Sequence, residues 1–153
     1  MKPSIIGAVI ERFDASTAQT PVSGSGGLWF AEIPSDKELP WACLWHLSEP
    51  SPELTMGAGY IERGKLQFEV YADTLESAET IARGIMDVFD PSQDSSGDTH
   101  YVSLSIQDAT LVRFERSNYL ETAGTQETPD NKTVYEAVIE YQYEVVRQAK
   151  VRN

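Results

Sequence analysis

The sequence has little of what most active centres are built from. It holds one cysteine and two histidines in 153 residues. A lone cysteine closes no intramolecular disulfide, so nothing points to an oxidising compartment. Cys43 lies in the apolar run Trp41-Ala42-Cys43-Leu44-Trp45, where a small buried hydrophobe is the expected role. A nucleophilic role would need a histidine and an orienting group beside it. His46 and His100 are far apart, and neither is followed at short spacing by a second histidine or cysteine. Zinc normally takes three or four His, Cys or carboxylate ligands. The expectation is therefore no metal and no cofactor, with a site of the two histidines plus carboxylates as the alternative.

Basic residues are also scarce, 12 against 24 acidic ones, for a formal charge of -12. Nucleic-acid affinity is dominated by phosphate contacts and needs a basic footprint. None is visible, so no specific nucleic-acid binding is expected. Acidity by itself gives solubility and self-repulsion. Long apolar runs are missing as well. Ile5-Ile6-Gly7-Ala8-Val9-Ile10 is too short to span a bilayer and is followed by Glu11, Arg12 and Asp14. It also lacks the shape of a signal peptide. A soluble, non-secreted protein with no membrane partner is expected. The run Ser23-Gly24-Ser25-Gly26-Gly27 lacks the Lys-Ser/Thr ending of a phosphate loop and the spacing of a dinucleotide fingerprint. There is no nucleophile elbow, kinase signature or HExxH helix. No catalytic residue is assigned and no enzyme is expected. An acid/base site using scattered carboxylates and His46 remains the enzymatic alternative.

What is present is an ordinary globular composition, 41% hydrophobic and 24% charged. The length predicts one domain over residues 1–153. Ile5, Ile6, Val9, Ile10 and Phe13 recur at helical spacing behind Ser4, which predicts a helix over 4–15 lying on a sheet. Residues 16–27 read as a flexible loop. Strands follow at 28–33 and at 41–47, the second broken by Glu49-Pro50-Ser51-Pro52. Across 60–72, Leu66, Phe68, Val70 and Ala72 alternate with Gln67, Glu69 and Tyr71, the signature of a sheet buried on one face.

The period then changes. Leu75, Ala78, Ile81, Ala82, Ile85, Met86 and Phe89 fill one helical face. Asp73 is the expected N-cap with Glu76 at the third position, and Pro91 stops the helix. Residues 91–99 are a polar loop, 100–106 and 110–116 alternate as strands, and 121–132 form another polar loop. At the end, Tyr135, Ala137, Ile139, Tyr141, Tyr143 and Val145 share one parity, with Glu136, Glu140, Gln142 and Glu144 on the other. A helix is possible there, but β-branched and aromatic residues favour a strand. The order is α-β-β-β-α-β-β: an α+β fold with an antiparallel sheet of about five strands and two helices on one face.

Trp29, Trp41 and Trp45 fall on two neighbouring predicted strands. Trp29 has the opposite parity from Leu28 and Phe30, so both faces of its strand are apolar. Such a strand in a small domain implies a second layer or a partner subunit, and aromatic anchors are what interfaces concentrate. These tryptophans are candidates for a subunit interface, or alternatively for the lining of a small-molecule or peptide pocket.

The complete pattern resembles the tail-completion and tail-terminator proteins of long-tailed phages and related prophages. It rests on Leu39-Pro40-Trp41-Ala42-Cys43-Leu44, then Arg63-Gly64-Lys65-Leu66-Gln67-Phe68-Glu69-Val70-Tyr71-Ala72, an Ala- and Ile-rich helix over 74–90, and the closing strand Val134-Tyr135-Glu136-Ala137-Val138-Ile139-Glu140-Tyr141. The family carries an "LPyvvl" segment, a "qvevya" strand, a helix and a last strand of repeated polar-apolar pattern. The long first loop departs from it. The resemblance implies a structural protein of the virion tail, assembled in the host cytoplasm. It implies self-association into a closed ring, usually of six subunits, that meets the tail tube and the head-tail connector proteins. In such a ring Glu136, Glu140 and Glu144 would face a lumen and repel passing DNA.

Overall fold

The computed structural model describes residues 4–23, 27–32, 38–54, 59–125 and 133–148. The chain runs α1 (Ile5–Asp14), a 3-10 turn (Thr17–Gln19), α2 (Thr20–Ser23), β1 (Gly27–Phe30), β2 (Trp41–Leu54) and β3 (Gly59–Ala72). It continues through α3 (Leu75–Phe89), β4 (Ser92–Gln93), β5 (Thr99–His100), β6 (Ala109–Thr125) and β7 (Thr133–Gln148). Five strands form one mainly antiparallel sheet in the order β1-β2-β3-β7-β6. This is the expected α+β class.

Alternation decides which side of the sheet is buried. Ala42 and Leu44 of β2, Leu66, Phe68, Val70 and Ala72 of β3, Phe114 of β6, and Ala137, Ile139, Tyr141, Tyr143 and Val145 of β7 are all buried and belong to one core. Helix α1 presents Ile5, Ala8, Val9 and Phe13 to that core, and α3 presents Ala78, Ile81, Ala82, Ile85 and Phe89. Aromatic rings link the layers: Phe68 lies 5.3 Å from Phe89, and Phe114 stacks on Tyr141 at 5.1 Å. Ser4 caps α1, accepting from the Gly7 amide at 3.3 Å.

Several expectations are corrected. The cap of α3 is Thr74, whose Oγ1 accepts from the Ser77 amide at 3.1 Å, and not Asp73 one residue earlier. Leu75, counted in the apolar stripe, is 42% exposed. The segment expected as a loop over 16–27 carries the 3-10 turn and α2, with Ala18 and Val22 buried. β1 pairs parallel with β2, Leu28 beside Ala42; short connection alone had suggested antiparallel pairing. β2 passes through the proline run to Leu54, with register shifts around Ser48. β1 reaches only Leu44, so from Trp45 onward β2 has an edge with no strand beside it among the described residues. Proline is tolerated on such an edge.

Of the expected 100–106 strand only His100 joins a ladder; with Thr99, from the segment expected as a loop, it pairs with Ser92–Gln93. Ile106 still reaches the core, with Val102 and Leu104 packed against it. Their alternation therefore records burial without sheet pairing. β6 extends from Ala109 to Thr125, well into the segment read as a 121–132 loop; residues 126–132 lie outside the described residues.

Candidate functional site

The two faces of the sheet differ in kind. The helices cover one. The other carries Trp41, Cys43 and Trp45 of β2, then Arg63, Lys65, Gln67, Glu69 and Tyr71 of β3, then Glu136, Val138, Glu140, Gln142 and Glu144 of β7, by the register of the three strands. Arg113, Glu115 and Leu120 of β6 pair with β7 residues of this face. All six residues singled out in the sequence lie here, because Trp29 pairs with Cys43. The tryptophans occupy the β1–β2 side and the glutamates the β7 column. β3 separates them, so the columns are about 10 Å apart.

The tryptophan side is partly closed. Trp41 is 3% exposed and stacks on Tyr71 at 4.2 Å. The chain leaving β1 crosses here, and Cys43 Sγ donates to the Glu32 carbonyl oxygen at 2.9 Å. Burial, with help from Glu69 and Glu32, pushes the Cys43 thiol up to about 12, so it stays protonated and unreactive at neutral pH. Trp29 and Trp45 are half-buried. The Trp45 Nε1 is buried and has no acceptor among the described residues.

The glutamate column is not a bare negative stripe. Arg63 Nε donates to Glu144 Oε1 at 2.8 Å, and Lys65 Nζ lies 3.4 Å from Glu140. Ser117 also donates to Glu140 at 2.9 Å. Glu136 lies at the far end, across β3 from which Glu69 also points to this face. Burial first, and the Glu69 charge second, raise its carboxyl above the usual range. Glu69 itself accepts from Gln67 at 2.7 Å and Tyr71 at 2.9 Å. The negative pole of the face is therefore the Glu69–Glu136 pair.

The opposite pole is ion-paired, three cations against three carboxylates. A groove of about 280 Å³ is bounded by Arg63, Lys65, Arg113, Gln142 and Glu144, with Gly64 in its floor. Arg63, Glu144 and Arg113 sit side by side on β3, β7 and β6, and Arg113 pairs with Glu115. No tryptophan lines this groove. Sequence reasoning missed it. The parity of Arg63 and Lys65 was legible, but Arg113 reaches the same row only after the bulge between Leu111 and Arg113.

The histidines stand elsewhere. His46 Nε2 lies 2.7 Å from the Tyr143 hydroxyl on the helix-covered side. The sheet separates it from Glu136, Glu140 and Glu144, so it forms no acid/base pair with them. His100 Nε2 lies 2.9 Å from Asp94 Oδ2 at the exposed β4–β5 turn. That contact, with amide donors from Asp98 and Ser96, holds the Asp94 carboxyl low. Among the described residues, no group of three or more His, Cys, Asp or Glu is placed to hold a metal ion. No helix among them is long and apolar enough to cross a membrane.

Fold and surface together define a small α+β protein with a helix-covered face and an open face rich in ion pairs. The same fold occurs in a chain from the virion of a native gene transfer agent (GTA) particle, with a TM-score of 0.59 and 13% sequence identity, over 94% of this chain and 95% of that one. No protein-family model matches the sequence, and no curated protein matches it.

Proposed function

We propose that this chain is a structural subunit of a phage-like particle. It terminates or completes the tail and joins it to the head as part of a ring. The observation that carries this reading is the end-to-end likeness to a chain of a gene transfer agent virion. Neither chain has a large part left over, so the likeness is between whole folds and not a shared fragment. The strand and helix pattern that resembles tail-completion proteins points the same way. The pocket alternative has less support, since Trp41 is stacked on Tyr71 and sealed.

In the ring, the acidic end of the open face is proposed to look into the channel. Glu136 and Glu69 give that end its charge, and like charge keeps a DNA backbone from adhering. Glu140 and Glu144 contribute less, because Lys65 and Arg63 pair with them.

Deletion of the gene from its particle-producing element tests the reading. The expected result is that purified wild-type particles contain the chain at a few copies each. Mutant lysates should hold filled heads separate from tails, or tails of uncontrolled length. Normal particles from the deletion strain sink the proposal. Glu69→Lys with Glu136→Lys tests the orientation separately: assembly should persist while DNA delivery falls. Unchanged delivery refutes the channel placement and leaves the subunit role standing.

A further inference from the structure

The sequence contains one Asp-Pro pair, Asp90-Pro91, at the end of α3. The pair combines a nucleophile with a good leaving group. The aspartate carboxylate can close on its own backbone carbonyl carbon through a five-membered ring. The proline nitrogen belongs to a tertiary amide, is more basic than an ordinary peptide nitrogen, and departs once it is protonated. In mild acid the carboxylate oxygen bonds to the Asp90 carbonyl carbon and the bond from that carbon to the Pro91 nitrogen breaks. The nitrogen keeps the electron pair and takes a proton from hydronium. Water then opens the cyclic anhydride, leaving Asp90 with two free carboxyl groups and Pro91 with a free amino terminus. Such an attack needs an oxygen free to approach the carbon in a reactive orientation.

The folded chain withholds that freedom. Tyr141 Oη donates to Asp90 Oδ1 at 2.7 Å, and Arg116 Nη2 lies 3.4 Å from Asp90 Oδ2. Each carboxylate oxygen is therefore held from a different strand, β7 and β6. The Tyr141 ring is fully buried, stacked on Phe114 at 5.1 Å and edge-on to Phe89 at 6.1 Å, so its hydroxyl is a fixed point. Arg116 is anchored a second time, its Nη1 donating to Met86 Sδ at 2.7 Å. The backbone is tied as well, since the Asp90 amide donates to the Met86 carbonyl oxygen at 2.8 Å. Asp90 caps the C-terminal end of α3, where the helix dipole disfavours a negative charge. The helix itself gives no reason for a carboxylate there; the contacts to Tyr141 and Arg116 do.

We propose that Asp90-Pro91 is a self-cleavage site, and that Tyr141 and Arg116 hold it inactive by keeping the Asp90 carboxylate off its own carbonyl carbon. The inference is independent of the ring reading above. Release of the α3 end from β6 and β7 arms the site. Scission in the folded chain then tracks the population in which these contacts are open. A hydrogen bond to a charged group is worth about tenfold in that population. Cleavage leaves residues 1–90 and 91–153, which remain paired through the β3–β7 ladder.

The test incubates the whole chain at the lowest pH at which circular dichroism still shows the native fold, and follows the two fragments by mass spectrometry. The wild type should cleave at least about tenfold faster in unfolding urea than when folded. Asp90→Ala removes the nucleophile and should give neither fragment in urea. Tyr141→Phe and Arg116→Gln, each shown to be folded, should cleave about tenfold faster than the folded wild type. Thr74→Ala controls for lost stability. Its scission runs through global unfolding and should climb steeply with low urea, while that of the two contact variants should start high and climb little. Equal rates for the folded and unfolded wild type overturn the protection. Contact variants that cleave no faster than wild type, or that share the steep urea dependence of Thr74→Ala, overturn the roles of Tyr141 and Arg116. The same two fragments from unfolded Asp90→Ala overturn the chemistry.

Discussion

Gly64 sits in the middle of β3 for reasons of space, not backbone conformation. A methyl group built there would lie 2.5 Å from Tyr143 Cζ and 2.8 Å from Cε1, and closer still to the hydroxyl. Real Cβ contacts do not approach that far, so the Tyr143 ring must move. It has nowhere easy to go: Tyr143 is 1% exposed, and its hydroxyl is 2.7 Å from His46 Nε2. Overpacking a tight core costs about 1–3 kcal/mol. Losing the hydroxyl contact adds about 1 kcal/mol. The alanine returns about 0.5–1 kcal/mol by restricting the unfolded chain. Gly64→Ala should therefore destabilise by about 2–3 kcal/mol, the balance of those terms. Urea unfolding followed by tryptophan fluorescence measures it as a lower midpoint at unchanged slope. Tyr143→Ala supplies the control. With the ring gone, Gly64→Ala should be neutral or slightly stabilising, so the two changes couple strongly. A Gly64→Ala protein within about 0.5 kcal/mol of wild type would refute the reasoning, as would an equal cost in the Tyr143→Ala background.

Three further outcomes follow from the same geometry. The Glu136 carboxyl is raised in the fold, so the native state holds its proton to higher pH than the unfolded chain does. Its ionisation destabilises the fold as pH rises, with the cost complete above the folded value and absent below the unfolded one. Glu136→Gln should raise the melting temperature slightly at pH 7, by no more than about 0.5 kcal/mol in stability, and the gain should vanish on acidification; an equal gain at pH 3 rules out this origin. Thr74→Ala should cost about 1 kcal/mol by removing the α3 cap, while Asp73→Ala should change thermal stability little; the reverse ranking would restore Asp73 as the cap. Cys43 should resist thiol reagents at pH 8 in the folded protein and react at once in denaturant, since it is fully buried and its pKa is pushed up to about 12; rapid native labelling would contradict the burial.

Local periodicity survived the passage from sequence to structure. In β3 the buried set Leu66, Phe68, Val70 and Ala72 is the one that alternation picked out, and in β7 Ala137, Ile139, Tyr141, Tyr143 and Val145 follow it, while Tyr135 is only half-buried and the off-parity Val134 is buried at the strand's start. In α3 the buried residues follow the helical stripe apart from Leu75 and Met86. Each of these patterns needs only neighbours along the chain, because side-chain direction repeats every two or every 3.6 residues. Alternation misled at 100–106, where Ile106 buries itself against the core without a ladder partner. The prolines of β2 misled in the other direction, since their effect depends on whether a strand lies alongside.

The sequence by itself determined the α+β class, the covered and open faces of β3 and β7, and the acidic character of the whole. It also put Glu136, Glu140 and Glu144 on one side of one strand. Only the tertiary structure decided that β1 runs parallel to β2 and that β7 inserts between β3 and β6. The same decision brought the tryptophans and glutamates to one face, set Lys65 and Arg63 against two of the glutamates, and gathered Arg113 with them into a groove. The physical reason is that register between strands is fixed by burial and loop closure over tens of residues. Residue 63 meets residue 144 at 2.8 Å only because the whole core between them packs, and no spacing along the chain records that distance.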